Sequence, residues 1–381
     1  MLMQFKKLMM FAVFVAVLNW SSRSLACSAF YLKGHDCMVI GFNENWSYLP
    51  GMVMVNKRGL EKDCIGWSDI VATNPPGSRL HWKVKWGSVT FTCMGIDLPS
   101  YGLNEAGLFV VELALRDTRS LPDPSRPNMF YAQWIQYQID NFASVEELVA
   151  NLPTTPVIDW WPKFEGSHFF VADARGRTAA IELIDGKLAV STGERMKVPV
   201  LCNGPYQQEL AELGQYQPFG GVKTFDLASK PTWDTRFIRL AHRLADYHSP
   251  PEVQPPVEFA FKTLDEATAG VWQLVVDETN RTLFFRTRPC RTIKSVDLRQ
   301  CDFSTNTPIR FADIHLNVKG DIASLLAVWT PEINQSYVMS GFPAAYTRED
   351  FYRSPENRIL LRNLHDYADR LQRQVCVKNA F

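Results

Sequence analysis

The sequence predicts an α+β fold, a layered protein built mostly of antiparallel sheet. Two observations carry this expectation. Short apolar runs of strand length come in groups, give way to helical spacing in the middle of the chain, and then return. Turn residues sit between neighbouring runs, as antiparallel pairs require. A third observation is negative: no Gly-rich phosphate loop and no Gly-x-Ser-x-Gly elbow interrupts the pattern, which disfavours nucleotide binding and the serine-hydrolase fold.

The elements follow in order. Residues 28–33 (SAFYLK) and 37–42 (CMVIGF) read as strands around Gly34-His35-Asp36, a hairpin-turn signal. Residues 51–57, 87–94 and 107–115 read as strands, the last after an Asn104-Glu105-Ala106-Gly107 turn. The period then changes. Phe130, Trp134, Tyr137 and Ile139 lie near helical spacing in 128–142, an aromatic stripe that reads as core. A second helix, Val145 to Leu152, starts at an N-cap, Ser144. Strands resume at 168–173, 178–184, 187–191 and 198–202, and a helix covers 233–246. The Pro-rich segment 250–256 reads as a loop between helices. Strands at 270–277 and 281–287 flank Asp277-Glu278-Thr279-Asn280, and an amphipathic helix, Glu356 to Val375, lies near the end.

The chain has 381 residues, enough for a sizeable core. Lys+Arg and Asp+Glu are both 40, so the formal charge is zero. Neither a basic nucleic-acid surface nor an acidic tail is present.

Residues 1–26 do not belong to this fold. Lys6 and Lys7 precede an unbroken apolar run, Leu8 to Leu18, too short to span a bilayer comfortably. A polar stretch and Ser24-Leu25-Ala26 follow, a cleavage site of the signal-peptidase kind. The expectation is a signal peptide over 1–26, a single domain over 27–381, and a secreted or periplasmic protein with no membrane span. An N-terminal anchor is the other reading of this segment. Lipid attachment at Cys27 is a third, although Leu25 sits one place too late for the usual lipobox.

Eight cysteines are present, and an exported protein is free to form disulfides. Setting Cys27 aside leaves an odd number, so at least one other stays free unless chains pair. Cys290 with Cys301 is one candidate bridge. No Cys-x-x-Cys or His-Glu-x-x-His occurs, so no metal site is expected.

A cysteine exposed by cleavage carries two reactive groups. Its thiol attacks a carbonyl once deprotonated, and its α-amine, with an ordinary pKa of roughly 7.7–8.0, serves as base near neutral pH. One residue then supplies nucleophile and base together. Acyl transfer needs oxyanion donors as well.

From Cys27 onward a series of landmarks runs in order. These are Cys27-Ser28-Ala29-Phe30, Gly41-Phe42-Asn43-Glu44-Asn45-Trp46, Val55-Asn56-Lys57-Arg58-Gly59, Gly87-Ser88-Val89-Thr90-Phe91 and Gly102-Leu103-Asn104-Glu105-Ala106-Gly107-Leu108. Leu201-Cys202-Asn203-Gly204-Pro205, Thr235-Arg236-Phe237-Ile238-Arg239 and Asn280-Arg281-Thr282-Leu283-Phe284-Phe285-Arg286-Thr287 complete it. In these the chain resembles the choloylglycine hydrolase and penicillin V acylase family, linear amide C–N hydrolases of the N-terminal-nucleophile type. The match is loose beyond about residue 303.

The resemblance implies a four-layer αββα fold, two stacked antiparallel sheets between helical layers. It implies Cys27 as nucleophile, Asn203 as side-chain oxyanion donor and Arg236 as the active-site cation. Ala114, by an ungapped count from Gly107, falls where the family uses a second, main-chain oxyanion donor. Two positions depart from the family's Gly-Arg-Asn-x-Asp: Phe42 stands for the arginine and Asn45 for the aspartate. Asn45 still offers a carbonyl oxygen to the terminal amine, without charge. Phe42 reads as wall or core, and Asn104-Glu105 as a structural turn.

The expected function is hydrolysis of a small-molecule acyclic amide: a conjugated bile acid, a phenoxymethylpenicillin, or an N-acyl amino acid or lactone. No cofactor and no nucleic acid are expected, and homo-oligomerisation is left open. A catalytically weak member that binds acyl amides is the alternative that Phe42 and Asn45 motivate. Asn45, Asn280 and Asn334 stand in Asn-x-Ser/Thr sites, which carry glycans only in a eukaryotic host.

Overall fold

The computed structural model describes residues 27–34, 37–45, 50–75, 77–116, 118, 120–121, 123–161, 166–247, 254–268, 270–344 and 354–376. The expected signal peptide and the turn residues His35 and Asp36 lie outside these.

Two large sheets dominate. The first runs in the spatial order Val200–Leu201, Ser28–Lys33, Met38–Glu44, Trp272–Asp277, Thr282–Thr287, Lys294–Asp297, Gly320–Asp321. The second runs Lys187–Thr192, Thr178–Ile184, Ser167–Asp173, Leu108–Ala114, Tyr101–Asn104, Ser88–Thr92, Met52–Asn56, Arg310–Asp313, Ala327–Val328. All pairings in the two sheets are antiparallel except Lys294–Asp297 with Gly320–Asp321. Helices Arg236–Ala245 and Pro256–Ala267 cover the first sheet, and Tyr131–Asn141 and Val145–Asn151 cover the second. This is the αββα arrangement that the family resemblance implies, and it fits the α+β layering read from the sequence pattern.

The strands read as near-continuous apolar runs because sheets sandwiched in this way are buried on both faces. Met52–Asn56 and Ser88–Thr92 are buried at every position. Close approach at Gly41 shows how tight the first sheet is. Gly41 faces Phe30 across the pair, and a Cβ there would sit 2.2 Å from the Phe30 ring.

Several expectations shift at the edges. Tyr101–Asn104 is a strand in its own right, so the turn is confined to the residues before Leu108. Asn104 closes that turn: its amide donates to the carbonyls of Ile139 and Phe142, and its Oδ1 accepts from Leu108 N. The structural reading of this turn therefore holds. The helix begins at Tyr131, not 128, because Asn128–Phe130 pairs with Val157–Asp159. Ser144 does cap its helix, accepting from Glu147 N at 3.2 Å. Pro256 opens a helix at its first turn, where its missing N–H costs nothing.

Cys290 and Cys301 are both free thiols, so the candidate bridge is not made. Cys290 Sγ lies 3.5 Å from the Leu316 carbonyl, and Cys301 Sγ lies 3.5 Å from the Asp297 carbonyl.

The chain beyond 303 is integral to the fold. Arg310–Asp313 extends the second sheet, and helices Pro331–Phe342 and Pro355–Cys376 pack together. Tyr367 on the last helix donates to Asp97 at 2.5 Å. Asp97 in turn shares Lys62 with Asp140, at 2.7 and 2.8 Å, all fully buried. Among the described residues no helix is long and apolar enough to cross a membrane.

Candidate active site

Register places Cys27. Ser28 pairs with Asn43 on one side, and Ala29 pairs with Leu201 on the other. Continuing each ladder outward sets Cys27 between Asn203 and Glu44. Directly opposed residues of an antiparallel pair share a face. Phe42, two residues from Glu44, meets Tyr101 of the second sheet edge-on at 4.9 Å. The Cys27, Glu44 and Phe42 face therefore looks into the space between the sheets. Asn43 looks the other way, donating to the carbonyls of Leu264 and Thr268 at the end of the covering helix.

Arg236 binds this row together. It is buried at the first turn of its helix, with the guanidinium over the Trp233 ring at 5.1 Å. Nη1 donates to the Cys27 carbonyl oxygen at 2.6 Å and to Ser28 Oγ at 3.0 Å. Nη2 donates to Asn203 Oδ1 at 2.9 Å. Arginine has no acceptor, so the Asn203 oxygen must face it. The Asn203 amide nitrogen is thereby turned to the second sheet, where it donates to the Ala114 carbonyl at 2.6 Å.

The turn that presents Asn203 has its own support. Glu209 accepts from Gly204 N at 3.3 Å and Cys202 N at 3.4 Å. Burial pushes its carboxyl up to about 8, with Arg236 pulling against that. The Cys202 thiol contacts Ser28 Oγ at 3.7 Å.

Cys27 itself is buried, with 6% of its surface exposed. Burial pushes its thiol up to about 12, and Glu44 adds to this. Three groups oppose the rise: a main-chain hydrogen bond from Asn45, the Arg236 charge, and a main-chain hydrogen bond from Ala114. The four site residues expected with Cys27 are thus brought to it, but Asn45 in an unforeseen way. Its side-chain amide donates to Thr268 Oγ1 at 3.3 Å and its Oδ1 accepts from Arg288 at 3.4 Å. Its contact with the sulfur is through the main chain.

Phe42 is wall. With Phe91, Tyr101 and Trp272 it forms an aromatic cluster between the sheets. Glu44 and Glu112, like Glu209, are residues that sequence reasoning missed. Burial raises the Glu44 carboxyl to about 8 and the Glu112 carboxyl well above its usual range, with Glu44 adding to the latter. Glu44 was legible only as part of a landmark, since its burial depends on strands far apart in the chain.

A cleft of about 220 Å³ opens beside Asn203 and Arg236, lined also by Pro205, Gln208, Trp233 and Phe237. Larger clefts of about 800 and 680 Å³, at Leu121 and at Arg362, touch none of these residues. Among the described residues no cluster of His, Cys, Asp or Glu is arranged to hold a metal.

Comparison with known proteins places this geometry. Residues 71–311 match the model of the linear amide C–N hydrolases, choloylglycine hydrolase family. Penicillin V acylase of Pectobacterium atrosepticum is 24% identical over 266 residues, which is 59% of this chain and 69% of that protein. The structure of penicillin V acylase from Agrobacterium tumefaciens superposes with a TM-score of 0.66 at 23% identity, covering 80% of this chain and 98% of that one. An Arg-to-Leu variant of the conjugated bile acid hydrolase of Clostridium perfringens gives 0.62 at 17% identity, covering 77% and 99%. The chain belongs to the choloylglycine hydrolase family and is a hydrolase of linear amides.

Proposed function

We propose that the protein is exported, that cleavage after Ala26 exposes Cys27, and that Cys27 is the nucleophile of an amide hydrolase. The observation that carries this reading is convergence. Arg236 and the main chains of Ala114 and Asn45 reach Cys27, the residue after the expected cleavage site, and Arg236 and Ala114 also hold Asn203.

The chemistry follows from the geometry. A thiol held near 12 is a poor nucleophile while Cys27 is in peptide linkage. Cleavage puts an amine beside the sulfur. The amine takes the thiol proton, and the ammonium so formed, with Arg236, stabilises the thiolate. The thiolate adds to the substrate carbonyl. The Asn203 amide, released from the Ala114 carbonyl, and the Ala114 N–H donate to the oxyanion. The ammonium gives its proton to the leaving amine, and water releases the acyl group from sulfur.

The names of the relatives point to an acyl group such as phenoxyacetyl or a bile acid, and an N-acyl amino acid or lactone fits the same chemistry. The test is intact mass of the purified chain, followed by hydrolysis of phenoxymethylpenicillin, glycine-conjugated bile acid and N-acyl amino acid. A mature mass starting at Cys27, activity on one of these, and its loss in Cys27→Ser are expected. Unchanged hydrolysis by Cys27→Ser would sink the proposal. A lipid-sized mass increment would instead establish anchorage at Cys27.

Phe42 favours a second reading, a weak enzyme that chiefly binds acyl amides, because it puts an aromatic ring where the family has a cation. Acyl-enzyme that accumulates on Cys27 without turnover would favour that reading.

A further inference from the structure

A carboxyl group buried with an oxygen left unpartnered is costly, and it needs an explanation. Glu44 is such a group. It is nine-tenths buried, and its Oε2 finds no hydrogen-bond partner among the described residues. Register sets it opposite Cys27 on the same face. The groups facing it are acids or neutral: Glu112 and Tyr101 from the second sheet, Cys93 after the Ser88–Thr92 strand, and Cys27 itself. The cation of this row, Arg236, is spent on the Cys27 carbonyl, Ser28 and Asn203. Asn45, next in sequence, carries no charge and has its side chain engaged by Thr268 and Arg288.

Cleavage before Cys27 creates one new cation, an α-ammonium on the residue that Glu44 opposes. We propose that Glu44 supplies the carboxylate that holds the α-ammonium of Cys27 after cleavage, as a positioning residue for the terminal nucleophile. This rests on the N-terminal-nucleophile reading above. The carboxyl group whose Oε2 is stranded in the uncut chain gains a cationic partner when the chain is cut. The pairing favours the charged form of both groups: the amine holds its proton more tightly, and the carboxyl loses its own more readily. Glu44 thereby does two opposed things to the thiol. Its own charge pushes the thiol up, and the ammonium it retains pulls the thiol down.

The test reads the amine directly. Trace labelling of the mature chain with acetic anhydride over a pH series, followed by mass spectrometry of the N-terminal peptide, gives the midpoint at which the Cys27 amine deprotonates. Glu44→Gln keeps the size of the side chain and removes the charge, and its midpoint should fall by about one pH unit or more. Glu44→Asp, which keeps the charge, should retain most of the wild-type midpoint. A Glu44→Gln chain that begins at Cys27 and has the wild-type midpoint overturns this inference and leaves the nucleophile assignment standing. A chain whose mature mass does not begin at Cys27 overturns both. If Glu44→Gln does not fold, Glu44→Met, which fills the same space without charge, decides: a wild-type midpoint in a chain that begins at Cys27 refutes the pairing.

Discussion

Arg236 and Asn203 fix one another: the guanidinium accepts no hydrogen bond, so its 2.9 Å contact to Oδ1 dictates which end of the Asn203 amide faces the second sheet. The same guanidinium holds the Cys27 carbonyl at 2.6 Å. Cys27 and Asn203, the proposed nucleophile and oxyanion donor, are therefore oriented by one fork. Lysine is a point donor and does not reproduce a fork. Arg236→Lys is expected to lower kcat about a hundredfold or more, the order seen on loss of an oxyanion donor, with KM little changed. Steady-state kinetics check this, and a kcat within about threefold of wild type contradicts the fork.

The Lys62, Asp97 and Asp140 cluster predicts a stability effect remote from the chemistry. All three are buried, and Trp82 and Gln136 also donate to Asp140. Lys62→Met leaves two carboxylates without their cation, which is expected to cost about 3–5 kcal/mol. Tyr367 donates to Asp97, so the last helix should loosen with it. Urea denaturation measures the first effect, and amide hydrogen exchange over 355–376 measures the second. A loss under about 1 kcal/mol would mean the cluster is worth no more than an exposed pair.

Glu278 predicts a pH dependence of stability. It is buried, and burial lifts its carboxyl to about 8 against the pull of Arg281. A carboxyl raised in the folded state binds its proton more tightly there than in the unfolded chain. Its contribution is full below the unfolded carboxyl value and is lost as pH rises to about 8. Within that window one such group tilts stability by up to about 1.4 kcal/mol per pH unit. Glu278→Gln should remove that share of the slope. Denaturant melts at about pH 5, 6.5 and 8 compare the two slopes; identical slopes contradict the assignment.

Asn334 and Asn280 should differ as glycan acceptors. Asn334 is buried in its helix, with its oxygen accepting from Ile96 N at 2.7 Å, whereas Asn280 is exposed. Expressed through a eukaryotic secretory pathway, the folded chain should carry glycan at Asn280 and none at Asn334, as peptide mass mapping would show. Asn334→Ala should cost about 1–3 kcal/mol by stranding the Ile96 N–H.

Legibility in the sequence followed locality. The strands at 28–33, 168–173 and 178–184 announce themselves because burial on both faces leaves long apolar runs. The strand at Tyr101–Asn104 was hidden because it contains Gly102 and Asn104, which read as turn residues but here serve close packing and turn closure. The small parallel pair at 128–130 was hidden because its partner lies beyond two helices. Cys27, Asn203 and Arg236 were found through ordered motifs. Glu44, Glu112 and Glu209 were not, since an ordinary glutamate becomes unusual only when distant strands bury it. Asn45 was found for its side chain, yet acts through its main chain, a part that no residue type encodes.

The pairing that opposes Ser28 to Asn43 is set at the far end of the hairpin, where Gly34 N meets the Cys37 carbonyl at 3.0 Å. A sheet has a repeat of two, so a slip of one residue exchanges its faces. Shortening or lengthening that connection by one residue would bring Asn43 or Asn45 opposite Cys27 and turn the thiol toward the wrong layer. The length of the connection between Gly34 and Cys37 thus acts as a ruler for Cys27, and changes in it that keep the faces of the pair should come in steps of two.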